Sequence, residues 1–148
     1  MRFQLLHDEG GQRTHLLVFE QGDEVMSTLE TFARDHELSA ATFTAIGAFS
    51  DARLGYLSWE SKEYEEIPLP EQVEVLMLAG DVALQDGEPK LHAHAVVGKR
   101  DGSAHGGHLL EAHVRPTLEL VLVEPPVHLR KQIDPETGLA LISPQGSP

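Results

Sequence analysis

The sequence predicts an α+β fold: a mostly antiparallel sheet of about six to eight strands with one main helix. Three observations lead there. Residues 24–36 carry Val25, Met26, Leu29, Phe32 and Ala33 at helical spacing, which makes one apolar face. Most other apolar residues fall in short runs with the two-residue alternation of strands, or in short continuous runs. Turn signals separate these runs: Gly10-Gly11, Asp86-Gly87-Glu88-Pro89, Arg100-Asp101-Gly102 and Pro125-Pro126. A chain of 148 residues is one domain with room for its own core, read here as residues 1–142 followed by a polar tail, 143–148, expected to be mobile.

In order along the chain, residues 2–6 make a short strand that Gly10-Gly11 limits. Residues 13–20 follow as a second strand, with Leu16 and Val18 on one face and Leu17 and Phe19 on the other, so both sides are expected to be buried. His15 is read as a surface residue at its start. Asp23 is the expected N-cap of the helix, and Glu24 suits its positive end. Residues 41–49 and 53–59 read as two strands, with Gly47 marking a bend or a close backbone approach and Trp59 packing on the sheet. The charged stretch 62–66 reads as a solvated strand or an edge, ended by Ile67-Pro68-Leu69-Pro70 because proline cannot donate to a ladder. Residues 72–79 form an apolar strand that Gly80-Asp81 turns or bulges before it continues over 82–85. Residues 117–124 alternate as a central or interface strand. A D-P-E-T-G turn and a last short strand close the domain.

Composition bounds the function classes. Eleven Lys plus Arg stand against 24 Asp plus Glu, a net charge of −13, and no run of three basic residues occurs. Direct, salt-driven DNA binding neutralises phosphates with basic groups, so this balance weighs against it. There is no AT-hook core of the R-G-R-P kind, no G-x-S-x-G and no G-x-x-x-x-G-K. With no cysteine, any metal must be held by nitrogen and oxygen ligands. The N-terminus has no apolar signal core ahead of its charges, and no run of about 18 apolar residues follows, so a cytoplasmic location is expected by default.

The candidate site lies in the stretch L-H-A-H-A-V-V-G-K-R-D-G-S-A-H-G-G-H-L-L-E, residues 91–111. His92 and His94 share a strand face. If Arg100, Asp101 and Gly102 form a three-residue loop, Gly102 takes the left-handed position without a Cβ penalty, and His94 comes to lie opposite His108. His92, His94 and His108 then converge, while His105 and His113 point the other way. A two-residue Asp101-Gly102 loop would instead bring His105 and His113 round, and a bulge at Gly106-Gly107 would change the count again. The three-residue loop is the preferred reading. Three imidazoles on one face suit a divalent metal, zinc first, with one position left for water or another ligand. The plain alternative is three polar residues on a half-exposed sheet.

The same stretch resembles the core signature of the PPC domain, the plants-and-prokaryotes conserved domain. G-D-E-V before the helix, A-T-F-T-A-I-G-A-F-S-D-A-R-L-G-Y, I-P-L-P, V-E-V-L-M-L-A-G-D-V-A-L and D-G-E-P-K-L-H-A-H carry the resemblance over residues 10–142. In plants this domain accompanies AT-hook motifs; in bacteria and archaea it usually stands alone. The resemblance implies an α+β fold, a homotrimer and a three-histidine metal unit that falls on His92, His94 and His108. It implies no settled activity. Three function classes follow: a trimeric metal-binding module, a DNA-associated regulator by family association, and a zinc-dependent hydrolase. Catalytic residues are unassigned. A hydrolase would want a carboxylate base; Glu111 is nearest in sequence but is expected to face away from His108, and Asp81 and Glu124 are not placed by the sequence.

Assembly is expected on physical grounds as well. Strands with apolar residues on both faces, such as residues 16–19 and 118–123, outnumber what one helix of about 20 Å can cover. The uncovered face must be solvated, curled into a barrel, or buried by another copy, and closed cyclic symmetry is the usual form of such assembly.

Overall fold

The computed structural model describes residues 1–144; of the tail read at 143–148, residues 145–148 lie outside the described residues. The elements in chain order are β1 (Arg2–Glu9), β2 (Gln12–Glu20), α1 (Val25–Asp35), β3 (Ala40–Leu57), β4 (Tyr64–Leu69), β5 (Val73–Gln85), β6 (Glu88–Gly98), β7 (Ala104–Glu124), β8 (Lys131–Ile133) and β9 (Ala140–Ile142). Among the described residues, one antiparallel sheet holds seven strands in the order β1-β2-β7-β6-β5-β3-β4, and β8 pairs with β9 in a second, small sheet. β7 also pairs with β3. β3, β7, β6 and β5 therefore pair around a closed circuit, which removes most free edges. Alternation fills the inside of that circuit: Phe43, Phe49, Leu54, Leu78, Leu109, Leu118, Leu120 and Leu122 are fully buried. Helix α1 packs against β6 and β7 and adds Val25, Leu29, Phe32 and Ala33 to the same core. No helix is long and apolar enough to cross a membrane among the described residues.

Two turns set the register that matters for function. Asp86 and Gly87, both with positive φ (53° and 87°), form a two-residue turn between β5 and β6. Gln85 then faces Glu88, and farther along Asp81 faces His92 and Ala79 faces His94. Arg100, Asp101 and Gly102 form the three-residue turn between β6 and β7. Gly102 sits at φ 81°, Lys99 N donates to Ser103 O at 2.8 Å, and His94 faces His108.

Several expectations need correction. The helix is capped by Glu24, not Asp23: the Glu24 carboxylate accepts from Met26 N (3.0 Å) and Ser27 N (2.6 Å). Asp23 instead accepts from Glu20 N and pairs with the N-terminal ammonium. Residues 41–49 and 53–57 belong to the single strand β3, because the ladder to β7 passes from Phe49 to Asp51 through a bulge at Ser50, one of several that bend the strand; residues 58–59 lie beyond it. After the bend β3 exchanges β5 for β4 as its neighbour. Pro68 does not break β4; it pairs with Arg53 on a strand that has no neighbour on its other side. Gly80-Asp81 does not turn β5. A Cβ at Gly80 would collide with the His92 carbonyl oxygen and the Phe43 ring, so the glycine is where a neighbouring side chain and strand come closest. Trp59 lies beyond β3 and is exposed, with Lys62 Nζ 3.4 Å above its ring. His15 is buried, not superficial, edge-on to Phe32 and His36. Leu17 and Phe19 are fully buried, but Leu16 and Val18 on the outer face are only half-buried.

Candidate metal centre

The two registers place three imidazoles on one outward face. His92 and His94 project from β6, and His108 projects from β7 directly opposite His94. Ring nitrogens of all three lie within 4.8 Å of one another. His92 Nε2 and His94 Nε2 are 3.1 Å apart. A tetrahedral zinc with bonds of about 2.0–2.1 Å separates its ligand atoms by about 3.3 Å, so this donor set fits the ion with little movement. His105 pairs with Val97 outside this group. His113 is bound elsewhere, with Nδ1 2.8 Å from Asp51 Oδ1.

The surroundings favour neutral rings. Burial, reinforced by the charges of His92, His94 and Lys131, pushes the His108 pKa down to about 4. Burial, followed by the neighbouring His92, also holds His94 below its ordinary value. A neutral imidazole is the form that binds a metal, so no proton need leave these two rings near neutral pH.

The supporting contacts explain ring orientation. Asp81, opposite His92, brings Oδ2 to 3.5 Å from His92 Nδ1. A carboxylate on Nδ1 leaves Nε2 free to bind a metal, the arrangement common behind zinc-bound histidines. The other oxygen, Asp81 Oδ1, lies 2.9 Å from Lys131 Nζ, an ion pair whose angle is outside that of a hydrogen bond. On the other flank Tyr64 stacks on His108 with centroids 4.5 Å apart, and His92 stacks on its opposite face at 5.2 Å. Tyr64 Oη lies 3.4 Å from His108 Nδ1. Gly55 makes that stack possible. It pairs with His108, and a Cβ there would lie 2.8 Å from Tyr64 Cδ1.

Sequence reasoning did not place Asp81, Tyr64 or Lys131 at this site. For Asp81 a signal existed: reading Asp86-Gly87 as a two-residue turn puts Asp81 opposite His92 by counting. Lys131 arrives by a tertiary route. Leu84 N donates to Leu129 O at 2.8 Å and Leu84 bridges to Arg130, which carries the C-terminal segment along β5 to Asp81. Glu111, as expected, turns away: its Oε2 is 2.6 Å from Arg53. Glu124 pairs with Arg13 at 2.8 Å on the far part of β7.

The profile of the Plants and Prokaryotes Conserved (PCC) domain matches residues 7–126. The chain belongs to this family. Solved relatives share the fold of this PPC-domain protein over nearly its whole length. A PPC protein of Pyrococcus horikoshii is 32% identical, with a TM-score of 0.82, covering 96% of this chain and 94% of that one. A protein of Archaeoglobus fulgidus described as metal-containing is 32% identical, with a TM-score of 0.82, covering 97% and 99%. A protein of Ralstonia eutropha JMP134, for which DNA binding is proposed by name, is 29% identical, with a TM-score of 0.84, covering 94% of each chain. No curated protein matches at a significant level.

Proposed function

We propose that this PPC-domain protein binds one divalent metal ion, zinc, through His92, His94 and His108, and acts as a homotrimer. The observation that carries the metal assignment is the convergence of three ring nitrogens, with His92 oriented from behind by Asp81. The metal-containing relative from Archaeoglobus fulgidus supports it. In such a site a zinc ion would supply a Lewis-acidic position; the chain's own residues hold and orient the three imidazoles. The test is metal content per chain by elemental analysis. Wild-type protein is expected to carry one equivalent and His94→Ala none, with His105→Ala and His113→Ala unaffected. Stoichiometric metal in His94→Ala would overturn the assignment.

The trimer has a physical motive on the outer face. Ile46, Leu76, Met77, Val96 and Val121 are each at least 40% exposed. They lie on β3, β5, β6 and β7, strands that pair with one another, and Met77 pairs directly with Val96. The closed circuit of strands buries the inner face but leaves this one bare. The family resemblance selects three copies over two. Light scattering should give three times 16.2 kDa.

The name of the Ralstonia relative favours a second reading, association with DNA. Against direct contact stands the net charge of −13. A hydrolase is a third reading, since three histidines leave a coordination position open. Asp81 lies behind His92, engaged with Lys131, and Glu111 is tied to Arg53, so neither is offered as the base.

A further inference from the structure

A cavity of about 200 Å³ adjoins the three histidines. His92 and His108 form part of its wall, and Tyr64 stands beside them. The small β8–β9 sheet closes one side with Lys131 and Leu141, joined by Leu139 just ahead of β9. Two of the ten lining residues are lysines, Lys90 and Lys131, and none is acidic. In a chain of net charge −13 this is a pocket of the opposite sign.

Lys131 is the informative residue. Its side chain is only 4% exposed. Burying an ammonium is costly unless its charge is compensated and its protons find acceptors. Asp81 Oδ1 at 2.9 Å supplies a counter-charge outside hydrogen-bond geometry, and the Lys90 carbonyl oxygen at 3.4 Å accepts one of the three protons. Asp81 also faces His92 and can cancel only one charge. A divalent ion on three neutral imidazoles would then leave two positive charges uncompensated, beside a cavity with no acidic lining. An anion is what such a site lacks. Its size and walls narrow the class. At about 30 Å³ per water-sized group the cavity holds about six heavy atoms. Leu91, Leu139 and Leu141 offer an aliphatic tail an apolar surface, and the Tyr64 hydroxyl offers an oxygen a donor. No arginine, the usual bidentate partner of phosphate, lines it.

We propose that this cavity binds a short aliphatic carboxylate, its head lying between Lys131 Nζ and the metal position and its tail against the β8–β9 wall. The proposal rests on the metal reading above and adds the ligand class. The test uses the full chain loaded with cobalt(II), whose visible absorption reports on its ligands. Butyrate should change that spectrum saturably. Butyramide, which has the same shape without the charge, should not. Lys131→Met should weaken the butyrate response at least tenfold, because a charge-assisted contact is lost. Leu141→Trp, which fills the cavity and leaves every charge in place, should abolish the response while cobalt remains bound. The two readings fail separately. Wild-type protein that takes up no cobalt sinks the metal assignment, and the carboxylate with it. Wild-type protein that takes up cobalt but ignores butyrate, or that responds equally to butyramide, sinks the carboxylate alone. So does a response to inorganic phosphate without one to butyrate, or a butyrate response unchanged in Leu141→Trp. If Lys131→Met loses cobalt, the wild-type and Leu141→Trp measurements decide.

Discussion

Gly80→Ala offers the sharpest test of how the sheet positions the site. Gly80 pairs with Ala93, between His92 and His94. An added Cβ would run into the His92 carbonyl oxygen and the Phe43 ring, with Phe43 Cε2 at 2.8 Å against an ordinary contact distance of 3.4 Å. Phe43 is 1% exposed and has little space to retreat into. Overpacking of this kind costs about 1–3 kcal/mol. The carbonyl belongs to backbone that cannot yield without stretching the β5–β6 ladder, at about 1 kcal/mol for each weakened hydrogen bond. Against this, alanine restricts the unfolded chain and returns about 0.4–1 kcal/mol. The clash wins, with a net loss of about 3 kcal/mol. For a domain of this size that lowers Tm by about 10 °C. Urea unfolding followed by circular dichroism, at one fixed protein concentration, measures it. Gly10→Ala is the control: a Cβ there meets nothing within 4 Å, so only its positive φ of 61° counts, at about 1 kcal/mol. A Gly80→Ala loss below that of Gly10→Ala would refute the reasoning.

Other expectations follow from the same geometry. In metal-free protein the unfolded His108 takes up a proton near its ordinary pKa of 6.5 while the folded one stays neutral down to about 4. The unfolded state therefore binds more protons across that window, so stability falls as pH drops from 6.5 towards 4, and His108→Asn should flatten that slope in pH-dependent unfolding. His113 works in the reverse direction. Its contact with Asp51 raises its pKa, so its contribution is complete below 6.5 and lost as pH rises through the folded value. Glu24→Ala removes the cap on Met26 N and Ser27 N and should cost about 1 kcal/mol in urea unfolding. Ile46→Asp, among the exposed apolar residues of the outer face, should turn the proposed trimer into monomer in light scattering; an unchanged mass would place the interface elsewhere. Duplex DNA should be retained no better than by an acidic control at about physiological salt, and tight binding that falls steeply with salt would revive the DNA reading.

Much of the candidate site's geometry was legible before any coordinates, because strands count in twos. The Arg100-Asp101-Gly102 turn fixes which residue of β7 faces His94, and counting from it alone selects His92, His94 and His108. The same arithmetic from Asp86-Gly87 would have selected Asp81. Elements whose limits depend on local chemistry, such as α1 and the turn at Gly10-Gly11, were legible within a residue or two. What depended on partners far along the chain was not. Gly80 and Pro68 look like breaks in sequence. One is open space that Phe43 fills, and the other sits on a strand whose outer side needs no donor. His15 looks solvated until Phe32 of the helix covers it. Closure of the circuit through β3 and β7 depends on bulges that no residue pattern announces. Lys131 is separated from Asp81 by the whole of β6 and β7, and only the return of the C-terminal segment along β5 brings its charge to the histidines. Periodicity and turn chemistry are local and can be read from sequence. Burial and charge compensation are settled by which surfaces meet, and only the folded chain decides that.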